Sequence, residues 1–334
     1  MKKKPTPKSA AKKKTAQPTP AAMEKMMREF VEMLGDEDGI VTKDDLNALL
    51  SSLGGPSAHD RLSGREADAK DEAQQIAFDA MEAESEAQAR KLAKRALKLD
   101  PDCVDALVVM TDLDARSQRE RIQGLQKAIE AGERSLGAKF IGENKGHFWL
   151  LLETRPYMRA LELLAGELKC AGLNADAIRI YERMLALNPN DNQGVRDPLL
   201  GLYLAASDLA GAGRLLKKYK EDSMANFAWG RVLERFLAGD RSGARAALKK
   251  ARAANRFVEL YLTAQRPLPE DPPEMYSPGS EEEAVLCLSN LSGAWAEHKE
   301  AAFWLYDQLA AHGAGPAVGK KALMKAPVAV KTVQ

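Results

Sequence analysis

The side chains best able to do chemistry crowd into residues 142–159, GENKGHFWLLLETRPYMR. An imidazole close to a carboxylate can pass a proton back and forth, so His147 with Glu143 or Glu153 is a candidate acid–base pair. With Asn144 and Trp149 the same residues make a candidate small-ligand or enzymatic site. The usual catalytic company is missing, however: there is no His-x-x-His, no nucleophile elbow and no phosphate-cradling glycine loop. The competing reading has His147, Phe148 and Trp149 filling an irregular junction between helices, while Glu and Arg side chains satisfy one another. No catalytic residue, metal or cofactor is therefore assigned, and His59, His298 and His312 read as surface or packing residues.

These residues must be positioned by helices. Ala, Leu, Lys, Arg and Glu dominate, only 6% of the residues are aromatic and strand-like runs are missing, which argues for an all-α chain and against a sandwich, barrel or doubly wound sheet. A tetratricopeptide (TPR) repeat is a helical hairpin of about 34 residues. Small residues stand at about positions 8, 20 and 27, where its helices touch, and Pro often stands at about 32. Setting Pro101 at that last position puts Ala77, Ala89 and Ala96 at the three contacts. Setting Pro189 there places Ala165 and Ala177, with Tyr181 at the large-residue position and Met184 replacing the third small residue. Further hairpins read as 199–206 with 209–218 and 225–237 with 242–254, while 104–113 with 119–133 fits only loosely. One such hairpin has too little apolar surface to stand alone. About five of them over 69–262 are expected to stack into a TPR-like right-handed superhelix with a concave groove.

Around this run the sequence suggests a Lys-rich disordered tail (1–22), a small helix–loop–helix (23–54) and a linker (55–68). Behind it come a Pro-rich loop (263–280), a helical C-terminal cap (281–312) opened by a Ser280/Glu283 capping box, and a mobile tail (313–334). In the helix–loop–helix, Gly39 would place Asp36, Asp38 and Asp45 at calcium-loop positions, but Leu34 stands where the first carboxylate belongs, so the loop reads as solvated and metal-free.

The repeat register gives the groove its chemistry. First-helix positions at roughly 2, 5, 9 and 12 line the concave face. In the unit ending at Pro189 these are Arg159, Glu162, Gly166 and Lys169, and Gln193 and Arg196 begin the next series. Two guanidiniums in one groove suit a carboxylate, so Arg159, Lys169, Gln193 and Arg196, with Arg155 and Tyr157, are candidates for binding a protein or peptide partner of acidic character. The alternative is that each Arg pairs with a neighbour such as Glu162 or Asp197. The turn-rich run NPNDNQGVRDP (188–198) leads into that helix, with Asp197 read as its cap and Pro198 as its first residue.

Residues 142–160 and 188–196, NRFVELYL (255–262), Leu268-Pro269 and YSPGSEEEA (276–284) carry a resemblance. Over about 142–304 the chain is similar to TPR proteins of the suppressor of tumorigenicity seven type, together with bacterial proteins sharing that repeat region. The resemblance implies a TPR-type scaffold and no particular reaction. Eukaryotic members are membrane-embedded, so location and partners do not carry over.

No apolar stretch approaches the roughly 20 residues of a membrane span, and no apolar segment follows Met1-Lys-Lys-Lys as in a secretory signal. Cys103, Cys170 and Cys287 lie far apart, which argues against a disulfide framework and fits a cytoplasmic protein. Seven lysines precede Thr15, leaving 42 basic against 48 acidic residues in the rest, so the tail is a candidate for sequence-blind contact with nucleic acid. A non-enzymatic interaction scaffold is the expected function.

Overall fold

The computed structural model describes residues 23–28, 69–269, 273, 275–311 and 317–319, and among them every regular element is a helix. The Lys-rich tail, the acidic loop at 36–45, the linker and nearly all of the C-terminal tail lie outside the described residues. The chain divides into two compact units, one ending at Asp114 and one beginning at Ala115. The boundary falls between the two helices read as the loosely fitting hairpin.

In the first unit, α1 (Ala69–Met81), α2 (Glu86–Leu99) and α3 (Val104–Asp114) pack on one another. Ser85 caps α2 by accepting from the Gln88 amide at 3.3 Å, and Pro101 bars its continuation. Ala77 and Ala96 are fully buried and Ala89 nearly so, in one core with Ala73, Ile76 and Ala93. Their lack of bulk lets the two helices approach closely. Cys103 lies in that core, where burial pushes its thiol up to about 12.

The second unit opens with α4 (Gln118–Leu136) and the short α5 (Ala138–Glu143). Three hairpins follow: α6 (Arg155–Cys170) with α7 (Asn174–Leu187), α8 (Arg196–Ala205) with α9 (Leu209–Lys218), and α10 (Ala225–Leu237) with α11 (Arg241–Ala254). The last two share one turn device. Asp208 accepts from the Gly211 amide at 2.8 Å and Asp240 from the Gly243 amide at 2.7 Å, capping α9 and α11. A Cβ at either glycine would collide with its capping carboxylate, which explains the repeated Asp-x-x-Gly.

After α12 (Phe257–Leu262) and the proline-rich segment come α13 (Glu281–Glu297) and α14 (Lys299–Ala310). The repeat grammar predicts a pair that closes the end of the stack. Instead, α13 lies along α8 and also packs on α10 and α12. It buries Ala284, Val285, Leu288, Leu291 and Trp295, so it is part of the core. The backbones touch at Gly201, where a Cβ would collide with the Asn290 carbonyl oxygen. Gly201→Ala is expected to cost about 2 kcal/mol of stability by forcing the helices apart, read as a lower urea midpoint at unchanged helix content.

Candidate functional site

Between α5 and α6, over 144–154, the backbone leaves α-helical geometry. Gly146 adopts φ of 97°, its amide donates to the Leu187 carbonyl at 3.1 Å, and single 3-10 turns at Phe148–Leu150 and Leu152–Thr154 lead into α6. Phe148 is fully buried and meets Tyr157 edge-on at 6.3 Å, while Thr154 Oγ1 donates to the Phe148 carbonyl. Arg155 lies over the Trp149 ring at 5.1 Å and donates to its carbonyl at 3.3 Å. Tyr157 is buried, and its hydroxyl donates to Glu133 at 3.3 Å. Asn144 Nδ2 donates to the Phe140 carbonyl at 3.0 Å. His147, Glu143 and Glu153 are exposed, and no hydrogen bond or ion pair joins His147 to either carboxylate among the described residues. These residues shape a junction and do not assemble an acid–base pair.

The run at 188–198 builds a buried polar network. Asp191, at φ of 53°, accepts from the Val195 amide at 2.8 Å and the Arg196 amide at 3.1 Å. It is therefore Asp191, and not Asp197, that caps α8. The helix starts at Arg196, and Pro198 sits within its first turn, where the missing N–H has no intrahelical partner to lose. The Arg196 guanidinium binds Asp191 and Asp222, each at 2.9 Å, and stacks near Tyr219 at 5.4 Å. Asp197 accepts from Asn226 at 3.2 Å. Burial raises its carboxyl to about 7 against the opposing pull of Arg196, with Asp222 and Asp191 adding to the rise.

Lys169 is placed differently. It sits near the end of α6, half-buried, and its Nζ donates to the Ser289 carbonyl of α13 at 3.3 Å. Desolvation lowers its pKa from the ordinary lysine value, and it has no carboxylate partner among the described residues. It borders a cleft of about 470 Å³ between α6, α8 and α13, whose wall includes Asn174, Gly201, Ser292 and Glu297. On the same face of α6, Gln193 Nε2 donates to Glu162 at 2.6 Å and to the Met158 carbonyl at 3.3 Å. Glu162 is open to water on one side, yet enough protein surrounds it for desolvation to raise its pKa against the Gln193 hydrogen bond. Arg159 is half-buried on α6, with interactions of its own.

Of the partner-binding candidates, then, Arg196, Arg155 and Tyr157 hold the fold together, whereas Lys169, Gln193 and Arg159 sit on or beside the open face of α6. Repeat spacing could not reveal Ser289, Asn290 and Ser292, because they belong to a helix outside the repeats. Their one signal was a polar and small run, Ser289-Asn-Leu-Ser-Gly293, inside an otherwise apolar helix.

Neither the models of known protein families nor the curated proteins match this chain. No helix of the described residues is long and apolar enough to cross a membrane, and none of their His, Cys, Asp and Glu side chains group as metal ligands would.

The Asp197 carboxyl gives a pH prediction. Its folded pKa lies above its ordinary 3.8, so the stability it contributes is complete below about pH 4 and is lost as pH rises through about 7. Asp197→Asn, which keeps an acceptor for Asn226, is expected to raise the melting temperature at pH 8 by a few degrees, equivalent to about 1 kcal/mol or more. At pH 5 the two proteins are expected to differ far less, and melting curves across this range check it.

Proposed function

We propose that the protein is a non-enzymatic interaction module, a TPR-like stack of hairpins that holds a protein or peptide segment by an anionic group. The observation that carries this reading is Lys169. A half-buried ammonium with no counter-ion among the described residues is costly to keep desolvated, and a ligand carboxylate seated in the adjoining cleft would relieve that cost. Because α13 packs on α8 and α10, the reading sets the binding surface at α6 and the α6–α8–α13 cleft. The similarity to TPR proteins of the suppressor of tumorigenicity seven type rests on the sequence strings alone and agrees with a scaffold.

The test uses acidic hexapeptides with free or amidated C-termini, titrated into the full chain by fluorescence anisotropy. Lys169→Gln is expected to weaken the best peptide at least about tenfold, as removal of one charge-assisted contact does, at unchanged melting temperature. Equal affinity for the parent and the variant would overturn the proposal. Because Arg196 organises the start of α8, its replacement would unfold the site and is not a clean test.

A further inference from the structure

The nearly neutral chain hides a strongly basic region. Between residues 209 and 256 there are twelve lysines and arginines against four acidic residues, in a chain whose formal charge is +1. The helical faces sort them. On α11, Arg241, Arg245 and Lys249 follow one another at four-residue spacing, about 6 Å per step, with Lys250 alongside. All four are exposed, and Arg245, Lys249 and Lys250 have no carboxylate partner among the described residues. The exposed face of α9 adds Arg214, Lys217 and Lys218. Arg241 lies over the Phe236 ring at 3.5 Å and donates to its carbonyl at 3.1 Å. Around Arg245, Lys249 and Lys250, like charges at this spacing repel one another and destabilise a helix.

A cleft of about 690 Å³ adjoins this face, and Lys220, Arg231 and Lys250 stand in its wall with Ala247 and Gly279. Its two carboxylates are already engaged. Asp222 holds Arg196 at 2.9 Å and the Met224 amide at 2.9 Å. Glu283 accepts from the Ala225 and Gly279 amides and from Asn255. The Met224, Ala225 and Gly279 amides at this edge are thereby occupied as well. What the cleft offers a ligand is cationic side chains.

We infer that α9, α11 and the cleft form a binding surface for the phosphate backbone of a single-stranded nucleic acid. A flexible strand can follow a row of cations and dip into a cleft, where Arg231 is half-buried and donates to the Leu216 carbonyl at 3.3 Å, whereas a flat bilayer meets only the exposed cations. An acidic peptide would need main-chain partners that are already engaged. The exposed positions between the cations are small, Ser242, Ala246 and Ala253, with no aromatic ring to stack a base. Recognition is therefore of charge alone and falls steeply with salt.

The experiment titrates a polyuridylate of about 30 nucleotides into the full chain, with the seven tail lysines replaced by glutamine so that the tail does not contribute, at about 50 and 150 mM salt. Arg245→Glu/Lys249→Glu/Lys250→Glu is the test variant. All three residues are exposed, so the melting temperature should hold. The expected result is at least a tenfold loss of affinity and a salt slope shallower by about 2, as for three lost phosphate contacts. Absence of binding at low salt, unchanged affinity in the triple variant, or binding to phosphatidylserine vesicles in place of RNA would each overturn the inference. Lys169→Gln should leave RNA binding intact.

Discussion

The second unit depends on one buried carboxylate. Glu283, at the start of α13, accepts from the Ala225 amide that opens α10, from the Gly279 amide and from the Asn255 side chain. Asn255 completes the knot: its Nδ2 also donates to the Ser280 carbonyl, its carbonyl accepts from the buried Trp229 Nε1 at 3.0 Å, and its Oδ1 accepts from the Phe257 amide. One acid and one amide thus join two helix starts, a helix end and a loop. The capping box at Ser280 is only half formed for this reason. Ser280 Oγ caps the Glu283 amide at 3.2 Å, but the glutamate turns away to the other three donors. A buried anion is tolerable only when such donors surround it, so losing any of them would leave charge stranded in the core.

This knot fixes which helices of the second unit meet. Because Glu283 pins α13 to the starts of α10 and α12, the helix lies over α8, where Gly201 permits backbone contact with Asn290. The chain's own helix α13 covers part of α8 and α10. What stays accessible is the polar face of α6 and the edge where Lys169 meets Ser289.

Charge is divided within the same unit. Asp191, Asp197, Asp222 and Glu283 are turned inward and satisfied by amides, Asn226, Asn255 and Arg196, while Arg214, Lys217 and Lys218 of α9 and Arg245, Lys249 and Lys250 of α11 are exposed. Net charge near zero conceals this separation, because it averages an interior that needs donors with a surface that has spare cations.

Helices, turns and small-residue contacts were legible in the sequence because they follow from local rules. Ala77, Ala89 and Ala96 fall where repeat spacing puts a close helix contact, Ser280 heads a helix, and prolines mark the breaks. The irregular junction at 142–159 was legible as a departure from that grammar, and Asn255 and Glu283 stood inside two of the strings that carried the TPR resemblance. Only the tertiary structure brought those strings together, moved the cap of α8 from Asp197 to Asp191, and left His147 unbonded to Glu143 and Glu153 among the described residues. It alone placed α13 on α8 and left Lys169 without a carboxylate partner among the described residues. Helical periodicity says which face of a helix is apolar. It cannot say which of several apolar faces will meet it, since burial is non-directional and the choice falls to close approach at Gly201 and to the donors around Glu283.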